Sequence, residues 1–394
     1  MIRTDALGRL EHAITAAPEE LDGWLLFDFR GINPIMAAVV GPEVVGTRRA
    51  YVYFPRAGRP TALVHAIDAE QWRGWPDAWE KRIWVRRETL AQELGALVGG
   101  RRIAVEYSPD GAVPYVDYLP AGTAEFLRRL GATLVCSAPL VTRYCSVWSD
   151  AGLASHRRAA GIIAGIAREG IARAGERARS DEPMSEFELA TWIRNAIDRA
   201  GLTTESGPSV CYGPNAARNH YDPTAEDAAP IIPGALLLVD LWATEPGGIY
   251  ADQTWMGAIG APGERDATLW NVIREARDAA LDLLRERTAR GTPPAGAEVD
   301  RAARDVIHRH GYADCIQCRT GHSIDHYGLH GYGPTIDDTE SFDDRALIPG
   351  VGFSIEPGIY IPGQAGVRSE VNVHVEDDDI LVTPDDYQSE LIVV

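Results

Sequence analysis

At 394 residues, with 45% hydrophobic and 24% charged residues, the chain is long enough for two ordinary domains, each with a buried core. Its formal net charge of −19 argues against nucleic acid and anionic membrane as partners, and no run reaches the roughly 18 apolar residues of a membrane span. Five scattered cysteines (Cys136, Cys145, Cys211, Cys315, Cys318) suit a reducing cytoplasm better than a disulfide framework, and the charged start MIRTDALGRLEHAI lacks the apolar centre of a secretory signal.

In chain order, short β-branched or aromatic runs predict strands over 24–27, 50–54, 62–66, 83–85, 103–107 and 133–136. Apolar residues recurring at three and four predict helices over 6–16, 89–97 and 123–130. This is an α/β domain, 1–148, with no Gly-rich phosphate loop, acid cluster or nucleophile–base pattern; its expected role is structural or oligomerising. Ser149 is placed as the N-cap of a helix over 151–174, which opens a second domain, 149–394. Ser185-Glu186-Phe187-Glu188 has capping-box spacing and starts a helix through Ala200 that Gly201 ends. Helices over 266–288 and 298–309 follow, strands dominate after Ser354, and the second domain is therefore α+β.

Leu236–Met256 organises that domain. An apolar run ends on Asp240, a Pro246-Gly247-Gly248 turn follows, and the extended run Ile249-Tyr250-Ala251 delivers Asp252: a hairpin with an acid at the end of each strand. Alone, this pair fits a turn cap and a solvated carboxylate as well as it fits a cation site. The turn-rich loop from Gly213 to Tyr221 presents His220, as a surface loop also would. Thr320–Gly331 holds His322, His326 and His330 among glycines, a pattern suited to metal or acid–base work. Glu356, between Ile355 and the Pro357-Gly358 turn, interrupts an apolar strand over 351–360 and needs a partner to ionise. Over 366–373, alternation puts Arg368, Glu370 and Asn372 on one strand face, towards either solvent or a site. Cys315 and Cys318 have C-x-x-C spacing without a second pair and are read as structural. Asp240, Asp252, His322, Glu356 and Glu370 together offer four carboxylates and one imidazole. Such a set suits Mn²⁺, or Co²⁺ and Zn²⁺, and carries enough charge for two ions sharing a water that becomes a hydroxide nucleophile.

The order Asp, Asp, His, Glu, Glu in the phrases LLLVD, YADQT, RTGHSI, FSIEPGIY and GVRSEVNV resembles the pita-bread metallopeptidases, which include aminopeptidase P, prolidase, methionine aminopeptidase and creatinase. WLLFDFRGINP and VWSDAGLASHRRAA extend the likeness to a smaller creatinase-like α/β domain ahead of the catalytic one. The resemblance implies that Asp240 chelates one ion, Asp252 and Glu370 bridge both, and His322 and Glu356 hold the second. It implies that His220 contacts substrate and the tetrahedral intermediate, that Arg368 orders the site, that Thr254 supports it, and that the protein is a homodimer or larger.

Four departures stand out. The Asp240–Asp252 spacing is one residue longer than usual in the family, Trp255 replaces an arginine, and Cys318 replaces the histidine of many prolidases. His330 stands eight residues after His322 rather than seven, with His326 as its competitor. The reading is a cytoplasmic, dinuclear Xaa-Pro aminopeptidase or prolidase acting on a small peptide or amide. Glu356 serves as general base and acid, with His220 and His330 assisting the oxyanion and the leaving amine. A metal-dependent C–N hydrolase of a small non-peptide amide is the alternative on this fold. A non-catalytic binding protein is disfavoured, because all five ligand positions are filled.

Overall fold

The computed structural model describes Ile14, residues 20–219 and residues 221–394. The helix expected over 6–16 lies, apart from Ile14, outside the described residues, and so does His220. The chain divides into two compact units, residues 1–145 and 146–394.

In the first unit, β1 (Gly23–Asp28), β2 (Ala50–Pro55), β3 (Thr61–His65), β4 (Glu80–Trp84), β5 (Arg102–Val105) and β6 (Thr133–Cys136) form a mixed sheet in the order β4-β3-β2-β1-β5-β6. Helices α1 (Pro34–Val40), α2 (Arg87–Val98), α3 (Ala121–Arg129) and α4 (Ala138–Val141) complete it. Leu90, Leu94 and Leu97 of α2 and Leu127 of α3 pack with Leu25, Phe27, Leu63 and Ile103, so the helical stripe and one sheet face share a core. Helix α1 was not expected. It opens on Asn33, whose Oδ1 accepts the Met36 N–H at 3.1 Å, with Pro34 in the first turn. Seven residues are too few for apolar periodicity to reveal it.

The second unit begins with α5 (Asp150–Ala178) and α6 (Glu186–Arg199), followed by β7 (Ser209–Tyr212), β8 (Ala235–Ala243) and β9 (Ala251–Ile259). Next come α7 (Glu264–Ala289), α8 (Gly296–Arg309), β10 (Ser323–Ile324), β11 (Gly352–Ile355), β12 (Gly358–Ile361), β13 (Ala365–Arg368), β14 (Val371–Val375), β15 (Ile380–Thr383) and β16 (Ile392–Val393). The sheets run β16-β9-β8-β7, β10-β11-β14-β15 and β12-β13, an α+β arrangement. Ser149 caps α5 by accepting from Gly152 N at 3.1 Å, and Ser185 and Glu188 form the capping box of α6. Among the described residues no helix is long and apolar enough to cross a membrane.

Strands β8 and β9 are covered on both faces, which is why they read as continuous apolar runs. Leu237, Val239, Leu241, Ala251 and Trp255 pack against Ile163, Ala167 and Ile193 of α5 and α6. Leu236, Leu238, Met256 and Ala258 turn the other way, towards Leu269, Ile273, Phe353 and Val373. Period-two alternation carries Asp240, Trp242, Asp252 and Thr254 onto this second face.

Two sequence expectations are corrected. The acids do not end their strands: β8 continues to Ala243 and β9 begins at Ala251, so residues 244–250 make the turn. Asp240 pairs with Thr254 and Trp242 with Asp252, so the two acids lie diagonally across the hairpin. Residues 351–360 and 366–373 are not single strands either. Each breaks in two, β11 from β12 at Glu356-Pro357 and β13 from β14 at Ser369-Glu370, because the chain leaves one sheet for another. The breaks face each other, since Ile355 pairs with Val371 and Gly358 with Arg368.

His156 of α5 steadies the hairpin turn. It is fully buried, with Nδ1 donating to the Tyr250 carbonyl at 2.7 Å and Nε2 accepting from Thr383 Oγ1 at 2.7 Å. Burial lowers its pKa to about 4, so the unfolded chain takes up the proton first as pH falls. The stability this group contributes is complete above its unfolded pKa near 6.5 and disappears as pH drops towards 4, a loss of about 3 kcal/mol. His156→Gln should flatten the pH dependence of urea unfolding between those limits by that amount; an unchanged slope would assign the acid sensitivity to other groups.

Candidate metal centre

Three structural elements converge on one small volume. The β8–β9 hairpin supplies Asp240 and Asp252. The segment entering β10 supplies His322, held in place because His322 O accepts from Ser354 N at 2.9 Å and His322 N donates to Ser354 Oγ at 3.0 Å. The two facing strand breaks supply Glu356 and Glu370. Glu356 N donates to Thr320 O at 2.7 Å, which fixes the first break, and Asp252 N donates to Asn372 Oδ1 at 2.9 Å, which ties β9 to β14.

One ligand atom each from Asp252, His322 and Glu370 lies within 4.8 Å of the other two, and all three residues are buried. His322 Nε2 stands 3.3 Å from Asp252 Oδ2 and 3.5 Å from Glu356 Oε1, which brings Glu356 into the same group. Nδ1 of that ring lies 3.2 Å from the Ser323 carbonyl, so a proton on Nδ1 leaves the Nε2 lone pair directed at the carboxylates. Asp240 joins the others through Arg368, whose Nη2 forms an ion pair with Asp240 Oδ2. The same guanidinium lies 3.5 Å from Glu356 Oε2 and 4.0 Å from Glu370 Oε2, and Nε donates to Thr254 Oγ1 at 2.8 Å. Thr254 in turn donates to Glu370 Oε2 at 2.8 Å.

Four carboxylates around one guanidinium leave negative charge uncompensated. Burial pushes the pKa of Asp240 up to about 7 against the pull of Arg368. Burial, then the charges of Asp252 and Glu356, hold Glu370 well above the usual carboxylate range. At His322 burial opposes protonation, but the hydrogen bond to Asp252 and the charge of Glu356 outweigh it and raise the pKa. Glu370 Oε1 is buried with no hydrogen-bond partner among the described residues. A free carboxylate oxygen, an available imidazole nitrogen and further acids make a donor set that fits divalent cations with oxygen and single-nitrogen ligation.

The remaining candidates separate by position. His330 is exposed, and its ring meets His322 edge-on with centroids 4.2 Å apart. His326 is turned elsewhere: its Cε1 lies only 2.9 Å from where a Cβ on Gly152 would stand, at the start of α5. Cys318 Sγ lies 3.8 Å from the Tyr360 hydroxyl, and burial pushes its thiol up to about 11. Cys315 and Cys318 are both free thiols. Trp255, in place of the family arginine, is buried, with Nε1 donating to Gln253 Oε1 at 2.9 Å and the Arg168 guanidinium 5.1 Å from its ring centre.

Sequence reasoning overlooked Trp242, Ser354 and Tyr360. Trp242 stands opposite Asp252 and covers Gly207; its place two residues after Asp240 on one strand was the available signal. Ser354 Oγ donates to Glu356 Oε1 at 3.1 Å, and its place two residues before Glu356 in the same extended run was the available signal.

Comparison with known proteins adds to this geometry. Residues 155–377 match the model of Metallopeptidase family M24. The chain is 30% identical over 317 residues to the Probable dipeptidase PepE of Mycobacterium bovis, an alignment covering 79% of this chain and 76% of that protein. It is 36% identical over 171 residues to the Xaa-Pro dipeptidase of Lactobacillus helveticus, covering 43% of this chain and 42% of that one. The crystal structure of dipeptidase PepE from Mycobacterium ulcerans superposes with a TM-score of 0.72 at 25% identity, across 99% of this chain and 98% of that one.

Proposed function

This chain belongs to the M24 metallopeptidases and has their pita-bread fold, and from that premise we propose that it is a dinuclear metal-dependent dipeptidase that cleaves Xaa-Pro bonds. The observation that carries the reading is the convergence of Asp252, His322 and Glu370 ligand atoms within 4.8 Å, with Glu370 Oε1 lacking a hydrogen-bond partner among the described residues. Asp240 would chelate one ion, Asp252 and Glu370 would bridge two, and His322 and Glu356 would hold the second. Mn²⁺ suits this oxygen-rich set, ahead of Co²⁺ and Zn²⁺. Bound ions supply Lewis acidity to the scissile carbonyl and lower the pKa of the attacking water.

The chain's own groups do the rest. Glu356, held by Ser354 Oγ and near the Arg368 guanidinium, is positioned to take the proton of the attacking water and to return it to the leaving amine. Arg368 keeps Asp240 and Glu356 in place through its two terminal nitrogens. His330, solvent-facing beside His322, can donate a hydrogen bond to the developing oxyanion or the leaving group. His220, outside the described residues, is proposed as a substrate contact; in the same stretch of sequence Asn215 and Tyr221 both hydrogen-bond to buried Glu186. An odd number of scattered cysteines supports a reducing cytoplasm, and homodimer assembly is the role proposed for the first unit.

The dipeptidase reading is supported by a relative named as a probable dipeptidase, and the preference for proline by one named as an Xaa-Pro dipeptidase. Its test is a screen of Mn²⁺-loaded protein against Xaa-Pro dipeptides, Xaa-Pro tripeptides, dipeptides without proline and small amides. The Xaa-Pro dipeptides are expected to show the highest kcat/KM, at least about tenfold above dipeptides without proline, the scale of one well-used pocket contact. Equal rates on all dipeptides would make it a general dipeptidase; turnover of amides alone would favour the C–N hydrolase reading.

A further inference from the structure

A buried arginine needs partners, and those of Arg277 lead to the candidate metal centre. Arg277 lies on α7 at 1% exposure. Its Nη1 donates to Ser369 Oγ at 2.9 Å and to the Gln388 carbonyl at 2.6 Å, while Nε and Nη2 reach Asp278 Oδ1 at 3.0 and 2.8 Å. The guanidinium packs 4.8 Å from the ring centre of Tyr387. Ser369 sits at the second strand break, between Arg368 and Glu370. Gln388 clasps β9: its Oε1 accepts Met256 N at 2.8 Å and its Nε2 donates to Met256 O at 2.7 Å. Two residues along β9 from Met256 is Thr254, which hydrogen-bonds Glu370 at 2.8 Å. The contacts therefore close a ring through Arg277, Ser369, Glu370, Thr254, Met256 and Gln388.

We propose that Arg277 is a positioning residue for the metal centre, using Ser369 and Gln388 to set the separation between the β9 strand bearing Asp252 and the strand break bearing Glu370. The proposal rests on the metal reading above. A hydrophobic side chain could fill the volume without the desolvation cost of a buried guanidinium, so packing alone is a poor reason for an arginine here. What the guanidinium adds is a planar fork that binds a side chain and a backbone carbonyl at once. Metal ligands tolerate little displacement, on the order of 0.5 Å, and at Ser369-Glu370 the two segments that must hold that tolerance share one long backbone bond, Glu370 N to Thr254 O at 3.5 Å, in place of a strand ladder.

The test is calorimetric titration of the full-length, metal-free protein with Mn²⁺ alone, alongside thermal unfolding in chelator. Arg277→Met is expected to weaken Mn²⁺ binding at least about tenfold, the range found when groups supporting a metal ligand are removed. Arg277→Lys should recover part of that loss, and Ser369→Ala should reproduce part of it. The combined Arg277→Met/Ser369→Ala variant should bind no worse than Arg277→Met, because both changes break the same contact. A lower melting temperature with Mn²⁺ affinity within twofold of the parent would reduce Arg277 to structural packing and overturn the proposal, as would losses that multiply in the double variant. Should Arg277→Met fail to fold, Arg277→Lys, Ser369→Ala and their combination decide by the same criteria. Parent protein that takes up no Mn²⁺ would overturn the metal reading, and the clamp with it.

Discussion

Asp252→Asn is expected to abolish tight binding of the second divalent ion and to lower kcat/KM by at least about 10²-fold, the scale for loss of one electrostatic contact to a transition state. Asp252 is 4% exposed, its Oδ2 faces His322 Nε2 at 3.3 Å, and it is the candidate bridge on the hairpin side. Asparagine keeps the volume, and the bond to Asn372 survives because it uses the Asp252 backbone N–H. The sign of the stability change separates metal loss from misfolding. Asp252 is the largest charge contribution to the raised pKa of Glu370, after burial. Removing that charge relieves this repulsion in the metal-free protein and offsets the weakened contact with His322, so the variant should unfold in chelator no earlier than the parent. Elemental analysis after dialysis against Mn²⁺ reads the first effect and thermal unfolding in chelator the second. A variant that still holds two ions tightly would remove Asp252 from the bridging position.

His330→Ala is expected to lower kcat by about 10²–10⁴-fold at saturating metal, the span for an acid–base or hydrogen-bonding group at a reacting centre. His326→Ala should alter KM modestly or not at all. The two histidines differ in what they face. The His330 ring abuts His322 and the residue is exposed, whereas His326 lies against the first turn of α5. Steady-state kinetics with Mn²⁺ content measured on each variant distinguishes a lost reacting group from a lost ion. The opposite pattern, with His326→Ala the damaging change, would transfer the role to His326.

Much of this was legible in the sequence because isolated charge in an apolar run is costly and therefore noticeable. Asp240 after Leu236–Val239 and Glu356 beside Ile355 stood out on that ground alone. Caps were legible for a similar reason: Ser149, and Ser185 with Glu188, satisfy orphan backbone donors at helix starts, and both form. What could not be read was where strands change partners. The patterns over 351–360 and 366–373 are compatible with unbroken strands, and only the competing sheets decide that each parts at its glutamate. Arg368 illustrates the same limit. Its alternation with Glu370 was visible, but its reach to Asp240, more than a hundred residues earlier in the chain, depends on β13 lying over the hairpin. Helix α1 escaped because its evidence was a cap and a proline without a stripe.

The paired strand breaks have a thermodynamic consequence. Glu356 and Glu370 leave the chain where β11 gives way to β12 and β13 to β14, so neither sheet's ladder fixes them relative to the hairpin acids. A cation gripped by all of them would act as a cross-link between segments that backbone pairing joins only through Glu370 N and Thr254 O, 3.5 Å apart. Occupancy and folding are then linked equilibria: ion at a hundred times its dissociation constant adds about 2.7 kcal/mol to the folded state. The melting temperature of this protein becomes a function of free metal concentration, and starvation for the ion destabilises the enzyme as well as silencing it.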